Sequence, residues 1–268
     1  MQCALQLIGD RGQPPKREAL GTAFCVVVPS ERLTGVLHGY IITTHHVIED
    51  QDWERVDVRV PDPDSGGELR PPSLALGWRQ PIPGLDLAMA PFPPAGEGLI
   101  PAVALGRQLL ELRPNLPMIG MPFYYVGLFA RLDRMMVRSG TIGAVDQRNI
   151  DHDRDYDYAY TAHLVDCRSY GGFSGSPCFL ELPYPGLEAK PPAPFPPDPS
   201  APAIGRMQYM HLLCGMFAEH FDDATDPMKA RSHLGVGILV RSDEIIAALM
   251  TNDARAERAQ WDAKIEAV

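Results

Sequence analysis

The sequence predicts an all-β protein that ends in a helix. Runs of β-branched residues recur along the chain between Gly- and Pro-rich turns, whereas helical periodicity is scarce before the C-terminus. The chain has 268 residues, 45% of them hydrophobic, which is enough for one large domain or two small ones with a sizeable core. We therefore expect many short strands.

The first half of the chain contains four predicted strands. Residues 24–28 and 40–42 are apolar runs typical of buried strands, and residues 56–60 alternate with period two, as in a half-exposed strand. Residues 85–90 form a further strand. The Pro- and Gly-rich stretch that follows, 91–99, is predicted to connect the two halves.

The second half contains further strands and one proline-rich stretch. Strands are predicted at 129–137, 137–145, 159–165, 177–182, 211–217 and 234–240. Residues 183–202 contain nine prolines, which cannot enter the interior of a sheet. We expect this stretch to be a surface insertion between two strands.

A helix is predicted over residues 242–268. Ser242 resembles an N-cap, and Asp243 and Glu244 follow it in the first turn. Two apolar pairs have the i, i+4 spacing of a helix face, and the helix is expected to break near residues 251–253.

Charge and cysteine content narrow the function classes. A formal net charge of −10 argues against nucleic-acid binding, which needs a basic face. The sequence contains no run of 18 apolar residues, so no membrane-spanning helix is expected. The first ten residues lack the features of a secretory signal. The pattern of the five dispersed cysteines fits buried free thiols better than a disulfide framework, so we expect a cytoplasmic location. The cysteines are Cys3, Cys25, Cys167, Cys178 and Cys214.

Three separate segments suggest nucleophilic catalysis. Residues 171–177 (GGFSGSP) present Ser174 between small residues, where a substrate carbonyl could approach the backbone N–H groups of Gly172 and Ser174 as an oxyanion hole. A serine hydroxyl needs a neighbouring imidazole, and His46 follows an apolar run. Asp86 opens another run and could orient that imidazole, which gives the chain order His, Asp, Ser.

Each of these residues also has an ordinary structural explanation. Ser174 could lie in a Gly-Ser turn, His46 at a strand end, and Asp86 at the end of a turn, and His45 competes with His46 for the role of base. Their joint occurrence in one order favours catalysis.

The acidic stretch 151–157 lacks the glycine and glutamate of a helical calcium loop, so we expect no metal and no cofactor.

Seven short motifs run along the chain: 21–24 (GTAF), 43–47 (TTHHV), 86–89 (DLAM), 120–123 (GMPF), 139–142 (SGTI), 166–177 and 234–240. Together they resemble motifs of the trypsin-like serine proteases, and among them of the bacterial HtrA/Deg branch. The resemblance implies two six-stranded β-barrels, about residues 1–95 and 105–241, with the triad in the cleft between them. No PDZ domain is expected after the peptidase domain, 1–247.

The chain departs from that family pattern next to the serine. Phe173 replaces an Asp or Asn, so activation by pairing with a new N-terminus is not expected, and Ser176 replaces a glycine. The resemblance also places Arg168 near the base of the specificity pocket, where a buried arginine that faces the pocket would favour an acidic side chain through a bidentate pair. Outward orientation, or pairing with Asp166, is the alternative for Arg168. The resemblance places the pocket walls at Ala218, Glu219, His220 and Gly235.

Together these observations predict a serine endopeptidase that cleaves protein substrates through an acyl-enzyme. Because such an enzyme would be hazardous in the cytoplasm, we expect a narrow substrate or a regulatory protein partner. The alternative is a catalytically silent protease fold that binds proteins.

Overall fold

The described residues form a seven-stranded N-terminal sheet, a closed C-terminal barrel and two C-terminal helices. The computed structural model describes residues 4–11, 16–49, 55–61, 69–70, 77–92, 102–104, 117–130, 134–147, 160–168, 171–183, 209–222 and 233–267. The acidic stretch 151–157, Cys3 and all but the first residue of the proline-rich stretch 183–202 lie outside these ranges.

The N-terminal half forms a seven-stranded sheet. In space its strands follow the order β5-β4-β1-β2-β3-β6, and β7 pairs in parallel with β2. A short helix, α1 (His45–Glu49), follows β3 directly. The strands are β1 (Ala4–Arg11), β2 (Lys16–Pro29), β3 (Leu37–Thr43), β4 (Arg55–Pro61), β5 (Leu69–Arg70), β6 (Ala88–Phe92) and β7 (Ala102–Ala104).

The C-terminal half forms a closed barrel of six antiparallel strands. Their order around the barrel is β10-β13-β12-β11-β8-β9. The strands are β8 (Pro122–Phe129), β9 (Arg134–Gln147), β10 (Ala162–Asp166), β11 (Ser176–Pro183), β12 (Tyr209–Asp222) and β13 (His233–Arg241).

The all-β class and one of the two expected barrels are confirmed. The pairings among the described residues leave the N-terminal sheet as an open path from β5 to β6, so closure of the first barrel stays a prediction. The strand expected at 85–90 begins only at Ala88. Leu85 and Leu87 instead donate hydrogen bonds to the carbonyls of Ile82 and Leu85, which keeps Asp86 in a loop.

The main apolar core lies where the sheet and the barrel meet. Phe24 and Tyr40 of the sheet belong to the same buried cluster as Phe179 and Ile238 of the barrel, and Leu249 of the following helix joins them. All five side chains are at most 2% exposed. Burial of this shared cluster therefore joins the two halves.

Two helices, α2 (Ser242–Leu249) and α3 (Asn252–Glu266), follow the last strand. The predicted C-terminal helix is therefore present, with its break at residues 250–251. Ser242 is not the N-cap as predicted; it is the first helical residue, and Arg241 occupies the cap with extended backbone angles. Thr251 caps α3 by accepting a hydrogen bond from the N–H of Ala254. None of the helices described here is long and apolar enough to span a membrane.

Buried titratable groups occur in both halves. The four described cysteines are buried free thiols, as the sequence predicts. His163 of β10 is only 5% exposed, and its Nδ1 accepts a hydrogen bond from the N–H of Asp146. Burial lowers the pKa of His163 from 6.5 to about 4, although the Asp146 carboxylate opposes this shift.

Stability should therefore fall between about pH 6.5 and pH 4. In that range the unfolded chain binds a proton at residue 163 that the folded chain does not bind, so acidification favours unfolding. The full difference corresponds to about 3 kcal/mol. Urea titrations from pH 7 to pH 4 should show a shallower loss of unfolding free energy in His163→Gln than in the unmodified protein. An identical pH slope in the two proteins would contradict the assignment.

Candidate active site

His46 and Asp86 form a pair held at two points. Nδ1 of His46 lies 2.8 Å from Oδ2 of Asp86, and the backbone N–H of His46 donates to Oδ1 at 3.0 Å. His46 lies in α1, directly after β3, and Asp86 lies in the loop before β6, which pairs with β3. Neighbouring strands of one sheet therefore bring together residues that are 40 positions apart.

The environment keeps Asp86 charged. Its side chain is only 3% exposed. Burial raises the pKa of this carboxyl, but the charge and the two N–H donors of His46 more than compensate, so its pKa lies below the usual value. An ionised Asp86 accepts hydrogen bonds only, which requires the proton on Nδ1 of His46 and leaves Nε2 of the neutral ring as an acceptor.

The two adjacent histidines have different partners. Nδ1 of His45 lies 2.9 Å from Oε2 of Glu49, one helical turn further along α1. The two residues lie in a helix rather than at a strand end, so their side chains diverge by about 100° around the helix axis. Asp86 thus pairs with His46.

The loop around Ser174 combines two left-handed glycines with a buried aromatic anchor. Gly172 and Gly175 have φ values of 101° and 86°, a region that favours glycine. Between them, Phe173 is fully buried, and its ring packs edge-on against Tyr125 at 5.3 Å between centroids. Aromatic packing therefore anchors this loop at the position where the resemblance described above implies Asp or Asn.

Thr22 of β2 holds the serine loop against the N-terminal sheet, a role that the sequence alone did not indicate. Its hydroxyl donates to the carbonyl of Gly172 and accepts from the N–H of Leu128, both at 2.8 Å. Its backbone N–H donates to the carbonyl of Ser174, also at 2.8 Å, and its carbonyl accepts from the Thr43 hydroxyl. The GTAF motif at residues 21–24, which contains Thr22, was the feature of the sequence that could have indicated this role.

The peptides beside Ser174 leave two backbone donors available. Ala130 donates to the carbonyl of Gly171 at 3.4 Å, so in this trans peptide the N–H of Gly172 points away from Ala130. Among the described residues, neither Gly172 nor Ser174 has a partner for its backbone N–H. The Ser174 hydroxyl likewise makes no hydrogen bond within the described part of the chain, so no such bond joins it to His46.

Arg168, predicted to lie at the base of the specificity pocket, is at the protein surface. Arg168 is exposed, and its carbonyl accepts from the Tyr125 hydroxyl at 2.7 Å and from Arg138 at 3.3 Å. Arg168 also borders a cavity of about 440 Å³ whose other lining residues are Tyr124, Val137, Arg138 and Ser139. Its guanidinium forms no ion pair with any residue described here, Asp166 included.

The predicted walls differ in burial. Ala218 is fully buried in the core cluster between the two halves, and Glu219 is half-buried. The backbone of His220 pairs with Gly237 in β13. Gly235 has a φ of 79°, and its carbonyl accepts a hydrogen bond from the N–H of Cys167 at 2.9 Å.

A family model for the trypsin-like peptidase domain matches residues 21–182, more than half of the chain. The chain belongs to the trypsin-like peptidases. The family expected from the motifs is therefore confirmed. No curated protein matches the chain.

Solved protease structures share the fold of this trypsin-like peptidase. The MamO protease domain from Magnetospirillum magneticum is 18% identical, with a TM-score of 0.52 over 93% of this chain and 97% of that one. The HtrA-type protease AlgW, solved with a decapeptide, is 16% identical, with a TM-score of 0.55 over 94% and 64%. Rv3671c protease in an inactive form is 13% identical, with a TM-score of 0.50 over 92% and 87%.

Replacing Thr22 tests whether its hydroxyl holds the loop. Thr22→Val keeps the shape but leaves the Gly172 carbonyl and the Leu128 N–H without their buried partner, so unfolding free energy should fall by roughly 2–4 kcal/mol. Thr22→Ser keeps the hydroxyl and should lose only about 1 kcal/mol for the missing methyl group. Chemical denaturation measures both losses. Equal losses would mean that the hydrogen bonds contribute nothing measurable.

Proposed function

We propose that this trypsin-like peptidase is a serine endopeptidase that cleaves protein substrates through an acyl-enzyme. His46 is the base, Asp86 orients it and Ser174 is the nucleophile. The observation that carries this proposal is the double contact of buried Asp86 with the ring and the backbone of His46, which fixes the imidazole in the tautomer that a base requires.

In the first half of the reaction, Oγ of Ser174 attacks the substrate carbonyl while Nε2 of His46 takes the hydroxyl proton. The resulting imidazolium is stabilised by ionised Asp86 and then gives the proton to the leaving amine. In the second half, His46 activates a water molecule that hydrolyses the ester on Ser174. The proton returns to the serine, which restores the starting state.

The backbone N–H groups of Gly172 and Ser174 stabilise the oxyanion of the tetrahedral intermediate. Two observations support this role. Neither N–H group has a partner among the described residues, and the neighbouring carbonyls of Gly171 and Gly172 accept hydrogen bonds from Ala130 and Thr22. One such donor contributes about 3 kcal/mol to transition-state stabilisation. A serine–histidine hydrogen bond that is missing in a free enzyme commonly forms when substrate binds.

The second candidate is a protease fold that binds proteins without cleaving them. It is favoured by Ser176, whose buried hydroxyl has no partner in the described part of the chain, and by the missing hydrogen bond of Ser174. We also propose a cytoplasmic location, since the described cysteines are free thiols. Control by a protein partner is proposed because unrestricted proteolysis there would be hazardous. Fractionation of the native cells tests the location.

A fluorophosphonate probe separates the two candidates. The purified protein should be labelled, because the probe esterifies only an activated serine, and Ser174→Ala should abolish labelling. Ser176→Ala is the matched control, since it removes a buried serine two residues away and should remain labelled. Labelling only after addition of native lysate would support control by a partner. No labelling in either condition would favour the binding module.

Arg168 is proposed to select an acidic side chain before the scissile bond, with the pocket completed by Ala218, Glu219, His220 and Gly235. This proposal is supported by two observations: Arg168 borders a cavity, and its guanidinium forms no ion pair in the described part of the chain. Peptides with Glu at that position should react about 10- to 100-fold slower with Arg168→Gln than with the unmodified enzyme, the range expected for a lost charge-assisted contact. Arg134→Gln, an exposed arginine of β9, is the control. Equal turnover of Glu, Leu and Arg peptides by the unmodified enzyme would end this proposal.

A further inference from the structure

Helix α3 contacts both chain segments that lead to the candidate catalytic pair. One segment is the loop that carries Asp86, and the other is strand β3, which runs directly into the helix that carries His46. Glu257 of α3 contacts the loop, and Asp262, five positions further along the helix, contacts β3.

On the Asp86 side, the loop is closed at its base. Arg79 and Met89 exchange two backbone hydrogen bonds, at 3.0 and 2.9 Å, so residues 79–89 form a closed loop that contains Asp86. Inside it, the amide of Gln80 donates to the carbonyl of Leu85 at 3.0 Å. The guanidinium of Arg79 then makes two parallel hydrogen bonds to the carboxylate of Glu257, at 3.0 and 2.6 Å.

On the His46 side, the contacts with β3 are buried. Nε2 of His38 lies 2.8 Å from Oδ1 of Asp262, and both side chains are less than 5% exposed. The hydroxyl of half-buried Ser30, which lies between β2 and β3, donates to the other oxygen of Asp262 at 2.9 Å. The Tyr40 hydroxyl donates to the carbonyl of Ala254 at 3.2 Å, which adds a second contact with the start of α3.

We propose that Glu257 is a positioning residue for the His46–Asp86 pair and acts through Arg79. A bidentate carboxylate–guanidinium contact fixes orientation as well as distance, and Arg79 lies at the closed base of the Asp86 loop. The buried His38–Asp262 contact holds β3 to the same helix. Helix α3 therefore sets the position of the Asp86 loop relative to the His46 strand.

A positioning role differs from a purely stabilising one in what it predicts. The side chains of Arg79 and Glu257 are 33% and 20% exposed, and such partly exposed ion pairs contribute little to the free energy of unfolding. Small displacements of a catalytic group, in contrast, can reduce turnover severely. This inference rests on the proposed function for its kinetic consequence, but the geometry of the pair can be measured without any activity.

The test compares Glu257→Gln with Glu266→Gln in the full chain. Glu266 also lies on α3 and makes a two-oxygen contact with an arginine, Arg32, at 3.1 and 2.8 Å, but Arg32 is not in the Asp86 loop. The first readout is the proton resonance of His46 Nδ1–H, which reports the hydrogen bond to Asp86. The second is the rate of fluorophosphonate labelling, together with kcat and KM on a peptide substrate.

Glu257→Gln should broaden or shift the His46 resonance and lower kcat and the labelling rate about 10-fold, with KM unchanged. Glu266→Gln should leave all of these as they are. The charge-swapped variant Arg79→Glu/Glu257→Arg should recover most of the loss. If Glu257→Gln does not fold, Arg79→Lys serves in its place, because it keeps the charge but loses the bidentate contact.

Three results would overturn the inference: an unchanged resonance and kcat in Glu257→Gln, an equal loss in Glu266→Gln, or a folded swap variant without recovery. If the unmodified protein neither labels nor turns over substrate, with or without native lysate, the proposed function fails. The His46 resonance in Glu257→Gln and Glu266→Gln then still decides whether α3 positions the pair.

Discussion

The serine loop belongs to the C-terminal barrel, yet its backbone is held by Thr22 of the N-terminal sheet. One buried hydroxyl contacts both Gly172 and Leu128, and the N–H of the same residue contacts Ser174. Because these groups are shielded from water, breaking one contact leaves a polar atom unpaired. The loop can therefore move relative to the sheet only at a cost, and the position of Ser174 relative to His46 depends on this contact.

Apolar packing supports the same contact from both sides. Behind it, Phe24 and Tyr40 of the sheet share a buried cluster with Phe179 of the barrel. On the barrel side, the ring of Phe173 packs against Tyr125, which stacks on Phe217 with ring planes 8° apart. Aromatic packing does not require a charged partner, so the loop can hold its shape without an ion pair to a newly formed N-terminus.

The sequence indicated the family, most strands and the residues of the candidate triad, because these depend on local patterns and short motifs. It could not predict Thr22 as a hub, since its partners Leu128 and Gly172 lie 106 and 150 residues away. The Asp262–His38 contact spans 224 residues and has no motif. The N-cap lies one residue earlier than predicted, at Arg241, whose side chain pairs with nearby Asp243 and also with Asp146, 95 residues away.

Fixing the tautomer of His46 places two demands on the surrounding structure. Asp86 must be buried for its hydrogen bonds to be strong, yet burial alone would favour its neutral form. Contact with both the ring and the backbone N–H of His46 lowers its pKa and helps to keep it ionised, so the loop and α1 have to stay in register. A short loop closed by Arg79 and Met89 achieves this locally. The outer contact of Arg79 with Glu257 extends the same constraint to the C-terminal helix, so a residue 171 positions from Asp86 can affect how that carboxylate faces its histidine.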